Sequence, residues 1–280
     1  MKIIIHGGFF SESATNHETK VAKQQALLRI VKDAYDYLKT HSAMDTVVHA
    51  VSLLEDDALF NAGIGSQIQS DGKIRMSASL MDGSTMKMSG VMNIEEVKNP
   101  VQVAQVLQDY EDKVLGGSGA IKFARAHGFE KFSTETPQRS EEYEAKRAAT
   151  QIGTVGCVAL DTNGKIAVAT STGGKGFEIP GRISDSATVA GNYANQFCGV
   201  SLTGVGEDIV SGAVAAKIVT RVTDGFSLEK AFEKTFNELK PFDGYAGAIA
   251  IDNKGNVFHQ DSYPSMVYAS FDGQNEEVFN

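Results

Sequence analysis

Thr154 stands directly after Gly153, at the end of a charge-dense stretch and at the head of an apolar run, Thr154-Val155-Gly156-Cys157-Val158-Ala159-Leu160. A threonine hydroxyl is a poor nucleophile until a base takes its proton. If the chain opens between Gly153 and Thr154, the freed α-amine lies on the same residue as the hydroxyl. An unperturbed α-amine titrates at about 7.7–8.0, so a useful fraction is neutral near pH 7 and one residue supplies both nucleophile and base. Glycine before such a cut tolerates the strained backbone that brings the hydroxyl onto its carbonyl. By itself, the segment reads more readily as a β-branched residue opening a strand, which is what nearly all such threonines are.

Other chemistries find less support. The six histidines, His6, His17, His41, His49, His127 and His259, offer no pair at metal-ligand spacing with a supporting carboxylate, which argues against zinc or iron. Gly116-Gly117-Ser118-Gly119 lacks the following Lys-Ser/Thr and the βαβ setting of a phosphate loop, and reads as a helix entry. A net charge of −9 and the lack of a Lys/Arg-rich tract argue against nucleic acid or an anionic membrane as the main partner. Cys157 and Cys198 suit core volume in a reducing compartment, so a cytoplasmic setting is expected. The start, residues 1–8, has too short an apolar run for a signal peptide, and no later run is long enough to span a bilayer.

The elements that must position Thr154 follow from periodicity. With 42% hydrophobic and 22% charged residues, 280 residues can bury a substantial core. The first residues read as a buried strand running into Gly7-Gly8. Apolar residues at helical spacing predict helices over 20–39 and 44–58, and Asn61-Ala62-Gly63-Ile64-Gly65 ends that pattern. A short hairpin is expected around Asp71-Gly72, a helix from Asn99-Pro100 to about Lys113, and another after Gly119 ending near His127-Gly128. Residues 130–153 are polar and form the candidate mobile linker, with room for one helix. Beyond it, 154–160 and 165–170 form a hairpin around Asp161-Thr162-Asn163-Gly164, and 247–251 with 256–258 form another. Helices are expected over 207–223 and, capped by Ser227, 228–239. Hairpins at both ends with helices between them imply an α+β fold of antiparallel sheet covered by helices.

Several motifs, in order and at matching gaps, carry a resemblance. They are His6-Gly7-Gly8, Leu59-Phe60-Asn61-Ala62-Gly63-Ile64-Gly65, Met81-Asp82-Gly83, the Gly153-to-Asp161 run, Ala169-Thr170-Ser171-Thr172-Gly173-Gly174, Pro180-Gly181-Arg182-Ile183-Ser184-Asp185-Ser186 and Thr203-Gly204-Val205-Gly206-Glu207. Together they cover roughly residues 1–255, and the chain resembles the isoaspartyl peptidase and plant-type asparaginase family of N-terminal-threonine hydrolases.

The resemblance implies a four-layer αββα sandwich of two antiparallel sheets flanked by helices, the Ntn-hydrolase fold. It implies self-cleavage into an N-terminal part, 1–153, and a C-terminal part, 154–280, that together remain one structural domain. Two such cut units would pair into a dimer of heterodimers. The reaction would be hydrolysis of β-aspartyl dipeptides and L-asparagine, small substrates, to release L-aspartate. Thr154 would be the nucleophile and Thr172 its orienting neighbour. Thr203 and Gly204 would form the oxyanion hole, where losing one donor typically costs ~10²–10³ in rate. Arg182 and Asp185 would grip the α-carboxylate and α-ammonium of the aspartyl group, with Ile183, Ser184, Val205 and Gly206 lining the same place. Asn61 would reach the active strand from the other fragment. No cofactor is implied for catalysis. A structural Na⁺ would be wrapped by main-chain carbonyls of Leu54, Glu55, Asp57, Phe60, Ala62 and Ile64.

Without the resemblance, Arg182 and Asp185 read as a surface ion pair, and Thr172, Asn61 and Thr203-Gly204 as turn residues. Two alternatives stand beside the isoaspartyl reading. A glycosylasparaginase-like amidase usually carries Asp before the nucleophile, where this chain has Gly153. A non-cleaving, amino-acid-binding relative would have little reason to keep Thr154, Thr172, Arg182, Asp185 and Thr203 together. The chain also departs from the family pattern. Phe9-Phe10 replace Ala-Gly, Ser77 falls where an aspartate is common, Asp243-Gly244-Tyr245-Ala246-Gly247-Ala248 replaces a glycine-rich strand entry, and Asp261-Ser262-Tyr263-Pro264-Ser265-Met266 replaces Asn-(Ser/Thr)-x-Gly-Met. Such side chains would reshape the pocket while leaving the nucleophile intact.

Overall fold

The computed structural model describes residues 1–9, 17–145 and 153–280. The β-branched run at the start becomes strand β1 (Lys2–Phe9), whose Ile3, Ile4 and Ile5 are fully buried because both faces are covered. Two amphipathic helices follow, α1 (His17–Leu38) and α2 (Ala43–Glu55). The Ser42 hydroxyl caps α2 by accepting from Asp45 N. This helix stops three residues short of the expected Ala58, where the chain curls back and Ile64 N donates to Glu55 O at 2.7 Å. The turn expected at Asp71-Gly72 is present, with Gln69 N donating to Lys73 O at 2.9 Å. The hairpin proper comes later, as β2 (Met76–Asp82) and β3 (Lys87–Ile94). These strands are rich in Ser and Met and largely buried, so they show little alternation to read.

Helix α3 (Pro100–Val106) starts as expected but ends well before Lys113, leaving through a 3₁₀ turn into β4 (Val114–Gly116) and α4 (Gly117–Ala126). The polar stretch after 130 does hold one helix, α5 (Pro137–Glu144), capped by Thr136. It is docked rather than free, since Arg139 is 2% exposed and its Nε donates to Gly65 O at 2.8 Å. Residues 146–152 of the expected linker lie outside the described residues.

The hairpin after Gly153 is β5 (Val155–Leu160) and β6 (Ile166–Thr172). Two strands not anticipated from periodicity follow, β7 (Asn192–Ala194) and β8 (Cys198–Gly204). The helix expected over 207–223 is two, α6 (Gly206–Gly212) and α7 (Val214–Thr223), because Ala213 between them takes a left-handed φ of 48°. Helix α8 (Leu228–Asn237), with Ser227 as cap, precedes β9 (Ala246–Asp252), β10 (Val257–Asp261), β11 (Met266–Phe271) and β12 (Glu276–Val278).

The strands make an eight-stranded sheet, β12-β11-β1-β5-β6-β2-β3-β4, and a four-stranded sheet, β10-β9-β8-β7. All pairings are antiparallel except β3 with β4. Leu27, Ile30, Val51 and Val101 bury α1, α2 and α3 on the outer face of the large sheet. Ile218, Phe232 and Phe236 bury α7 and α8 on the outer face of the small one. Ile4, Phe9, Val158, Val168, Ile249 and Ile251 fill the space between the sheets. The order of layers is therefore αββα, as expected. Cys157 and Cys198 are buried and unbridged within it.

Candidate active site

The large sheet brings Gly8, Thr154 and Thr172 side by side. In the register, His6 opposes Gly156 and Val155 opposes Ser171. Two further steps along the first antiparallel pair and one along the second set Thr154 between Gly8 and Thr172. Gly8 has a φ of +91°, and a Cβ there would lie 2.7 Å from Gly153 Cα and 3.2 Å from Thr154 N. Only a residue without a side chain fits against the Gly153-to-Thr154 peptide.

Thr154 is 5% exposed, and its hydroxyl donates to Thr172 Oγ1 at 3.2 Å. Thr172 in turn donates to Gly153 O, also at 3.2 Å. Asn61 Nδ2 donates to the same carbonyl at 2.9 Å. The Asn61 amide cannot turn over without loss, because its Oδ1 accepts from Gln67 N at 3.0 Å. The carbonyl on the N-terminal side of Thr154 is thus held by two donors while the neighbouring hydroxyl points into the same network.

The small sheet faces this point from below. Gly156 packs over Ser201, and Val158 over Gly199, where a Cβ would meet Val158 Cγ1 at 3.0 Å. Extending that two-residue step, with alternate side chains on one face, sets Thr154 over Thr203. Thr203 is fully buried, yet its Oγ1 has no hydrogen-bond partner among the described residues. A buried orphan hydroxyl is costly unless a ligand group completes it. Gly204 follows with a φ of +142° and packs on the main chain of Tyr245.

His6 is a supporting residue that spacing alone did not single out. Its Nε2 lies 2.9 Å from Ser201 Oγ, which lies 2.7 Å from Thr170 Oγ1, and Thr170 donates to Asn192 Oδ1 at 2.9 Å. Burial pushes the imidazole down to about 3, with the Thr154 main chain opposing only in part. His6 is therefore neutral, a brace under the strand rather than a base.

A second cluster lies beyond the end of β8. Arg182 is forked onto Glu207, with Nε to Oε1 at 2.7 Å and Nη2 to Oε2 at 2.8 Å. This bidentate bond holds the Glu207 carboxyl down at about 2. Arg182 does not pair directly with Asp185, as a simple surface ion pair would. Asp185 is 2% exposed, its Oδ2 has no hydrogen-bond partner among the described residues, and burial pushes its carboxyl up to about 7 against the pull of Arg182. A Cβ on Gly206 would lie 2.5 Å from Ser184 Cβ, 2.9 Å from Asp185 Oδ1 and 3.1 Å from Arg182 Nη2. Gly206 thereby keeps open a space lined by one acid and one base. Ile183 is 48% exposed beside it, and Val205 N donates to Tyr245 O at 2.9 Å.

The expected cation loop precedes Asn61. Glu55 O and Asp57 O accept from Ile64 N at 2.7 Å and Phe60 N at 3.1 Å. Ala58 O and Phe60 O both lie 2.8 Å from the Cβ position of Gly65, and of these two Phe60 alone is among the expected carbonyls. Among the described residues no group of His, Cys, Asp and Glu side chains is arranged to hold a metal. No described helix is long and apolar enough to cross a membrane.

The sequence has relatives among known proteins. The sequence matches the family model described as Asparaginase over residues 1–279. It is 43% identical to an isoaspartyl peptidase/L-asparaginase of Synechocystis, covering 97% of this chain and 88% of that protein. It is 38% identical to an isoaspartyl peptidase of Escherichia coli, covering 91% and 88%. A plant-type L-asparaginase of Pyrococcus abyssi is 33% identical, covering 98% and 97%. With the four-layer fold, a match along nearly its whole length and relatives of this closeness, the chain belongs to the asparaginase family.

Proposed function

We propose that the chain cuts itself between Gly153 and Thr154 and then hydrolyses β-aspartyl dipeptides and L-asparagine, releasing L-aspartate. The observation that carries this reading is the Thr154 hydroxyl, bonded to Thr172 beside a Gly153 carbonyl that Asn61 and Thr172 both polarise. In self-cleavage, Thr154 Oγ1 attacks the Gly153 carbonyl carbon, and the peptide C–N bond breaks as a C–O ester bond forms. The proton passes from the hydroxyl to the departing Thr154 nitrogen, and water then hydrolyses the ester. Asn61 Nδ2 and Thr172 stand where the oxyanion develops.

The freed amine then serves as base for the hydroxyl of its own residue. The substrate's α-carboxylate would meet Arg182 and its α-ammonium Asp185, so its side-chain carbonyl falls near the orphan Thr203 hydroxyl and the main chain of Gly204. Thr154 attacks that carbonyl, the amine or ammonia leaves with the proton held by the Thr154 nitrogen, and water releases aspartate. The carbonyls of Leu54, Glu55, Asp57, Phe60, Ala62 and Ile64 would hold a sodium ion, which supplies no chemistry but stiffens the loop that presents Asn61. Two cut units would associate as a dimer of heterodimers.

The test is direct. Denaturing mass spectrometry of purified protein should detect a fragment beginning at Thr154, and that material should release aspartate from a β-aspartyl dipeptide. Persistence of only the full-length chain in protein that hydrolyses these substrates would overturn the mechanism.

A further inference from the structure

A row of aromatic rings leaves the candidate active site on one side. The Phe9 ring lies 4.5 Å from that of Tyr245, centroid to centroid, and Tyr245 stacks on Tyr263 at 5.2 Å with 20° between planes. Tyr245 is held by Ser265, hydroxyl to hydroxyl at 3.0 Å, and Tyr263 donates to Asp243 Oδ1 at 2.8 Å. The row runs from a ring only 2% exposed to one 46% exposed.

Their flank matters. Asp185 packs against Gly191, whose carbonyl accepts from Leu202 N, on the β7 side of β8. Tyr245 lies on the opposite side, where Gly204 opposes Ala246 of β9. Phe9 of β1 reaches the same side, its Cζ 2.8 Å from the Cβ position of Gly247. The α-group anchor and the aromatic row therefore flank Thr203 and Gly204 from opposite sides. A substrate held at Asp185 and Arg182, with its carbonyl at Thr203 and Gly204, directs its leaving nitrogen towards β1 and β9. That is also the side of the proton donor, since Gly8 of β1 abuts Thr154 N.

We propose that Tyr245 and Tyr263 form a subsite for the leaving amino acid, selecting β-aspartyl dipeptides with an aromatic or large aliphatic second residue. This inference rests on the hydrolase reading above. Its subsite receives the side chain of that residue edge-on or stacked, an arrangement worth about 2- to 10-fold in kcat/KM. Asparagine, whose leaving group is ammonia, draws nothing from it.

The test uses the processed enzyme with β-Asp-Phe, β-Asp-Gly and L-asparagine, each followed by aspartate release. The native enzyme should favour β-Asp-Phe over β-Asp-Gly in kcat/KM by about 2- to 10-fold. Tyr245→Ala and Tyr263→Ala should bring that ratio towards one, and Tyr263→Phe should keep it. Equal use of the two dipeptides by the native enzyme, or an unchanged ratio in both alanine variants, would overturn the subsite while leaving the hydrolase reading intact. Aspartate release from none of the three substrates would overturn the hydrolase reading and the subsite with it.

Discussion

Thr203 carries a buried hydroxyl that has no hydrogen-bond partner among the described residues. Thr203→Val keeps the shape and removes the donor. We expect kcat for β-Asp-Leu to fall by ~10²–10³ with a smaller change in KM, because the bond strengthens as charge develops. Asp185 makes a second prediction through its ionisation. Its carboxyl sits at about 7, so falling pH adds a proton and removes the charge that a substrate ammonium needs. Activity should therefore rise with pH through this range. Asp185→Asn should lower kcat/KM at pH 8 by about 10- to 100-fold, the size of a bond to a charged group. The ratio of native to variant should grow with pH, half-maximal near 7. Thr172, Arg182 and Asp185 were set beside Thr154 only by the resemblance their motifs carry. Glu207 was read only as a helix start, since nothing in a 25-residue separation announces a bidentate ion pair.

At the scale of elements, the site depends on strands that end together. Gly8 is where β1 meets the Gly153–Thr154 peptide of the proposed cut, and Gly8→Ala combines a positive φ with a Cβ 2.7 Å from Gly153 Cα. Moving that peptide against Thr172 and Asn61 should slow self-cleavage on the order of 10²-fold, followed as loss of full-length chain on a denaturing gel. Strands β5, β6 and β9 were readable because each joins an apolar run to a four-residue turn that opens with Asp and closes with Gly. Strands β2, β3, β7 and β8 were not, being short, or small-residue rich and covered on both faces. The break at Ala213 escaped notice because alanine is the strongest helix former and only packing places it in a left-handed turn.

Across the whole molecule, the two parts of the chain are interleaved. In the large sheet β11 and β12 from the C-terminal part flank β1 from the N-terminal part, β5 and β6 follow, and β2 closes on β6. A cut at Gly153 leaves three strand-to-strand seams joining the parts, between β11 and β1, β1 and β5, and β6 and β2. We expect both fragments to elute together on size exclusion, separating only at denaturant concentrations that melt the sheet. Elution of separate fragments in native buffer would contradict this. The order of residues by itself placed most of the helices and the β5–β6 and β9–β10 hairpins, because local periodicity is written in adjacent positions, and only the resemblance drew Thr154, Arg182, Asp185 and Thr203 into one proposed site. The tertiary structure alone decided that the Thr203 hydroxyl has no partner among the described residues, that His6 is neutral, that Glu207 grips Arg182, and that Phe9, Tyr245 and Tyr263 share one wall. Those properties come from burial and from contacts between distant segments, and neither exists until the sheets have closed on one another.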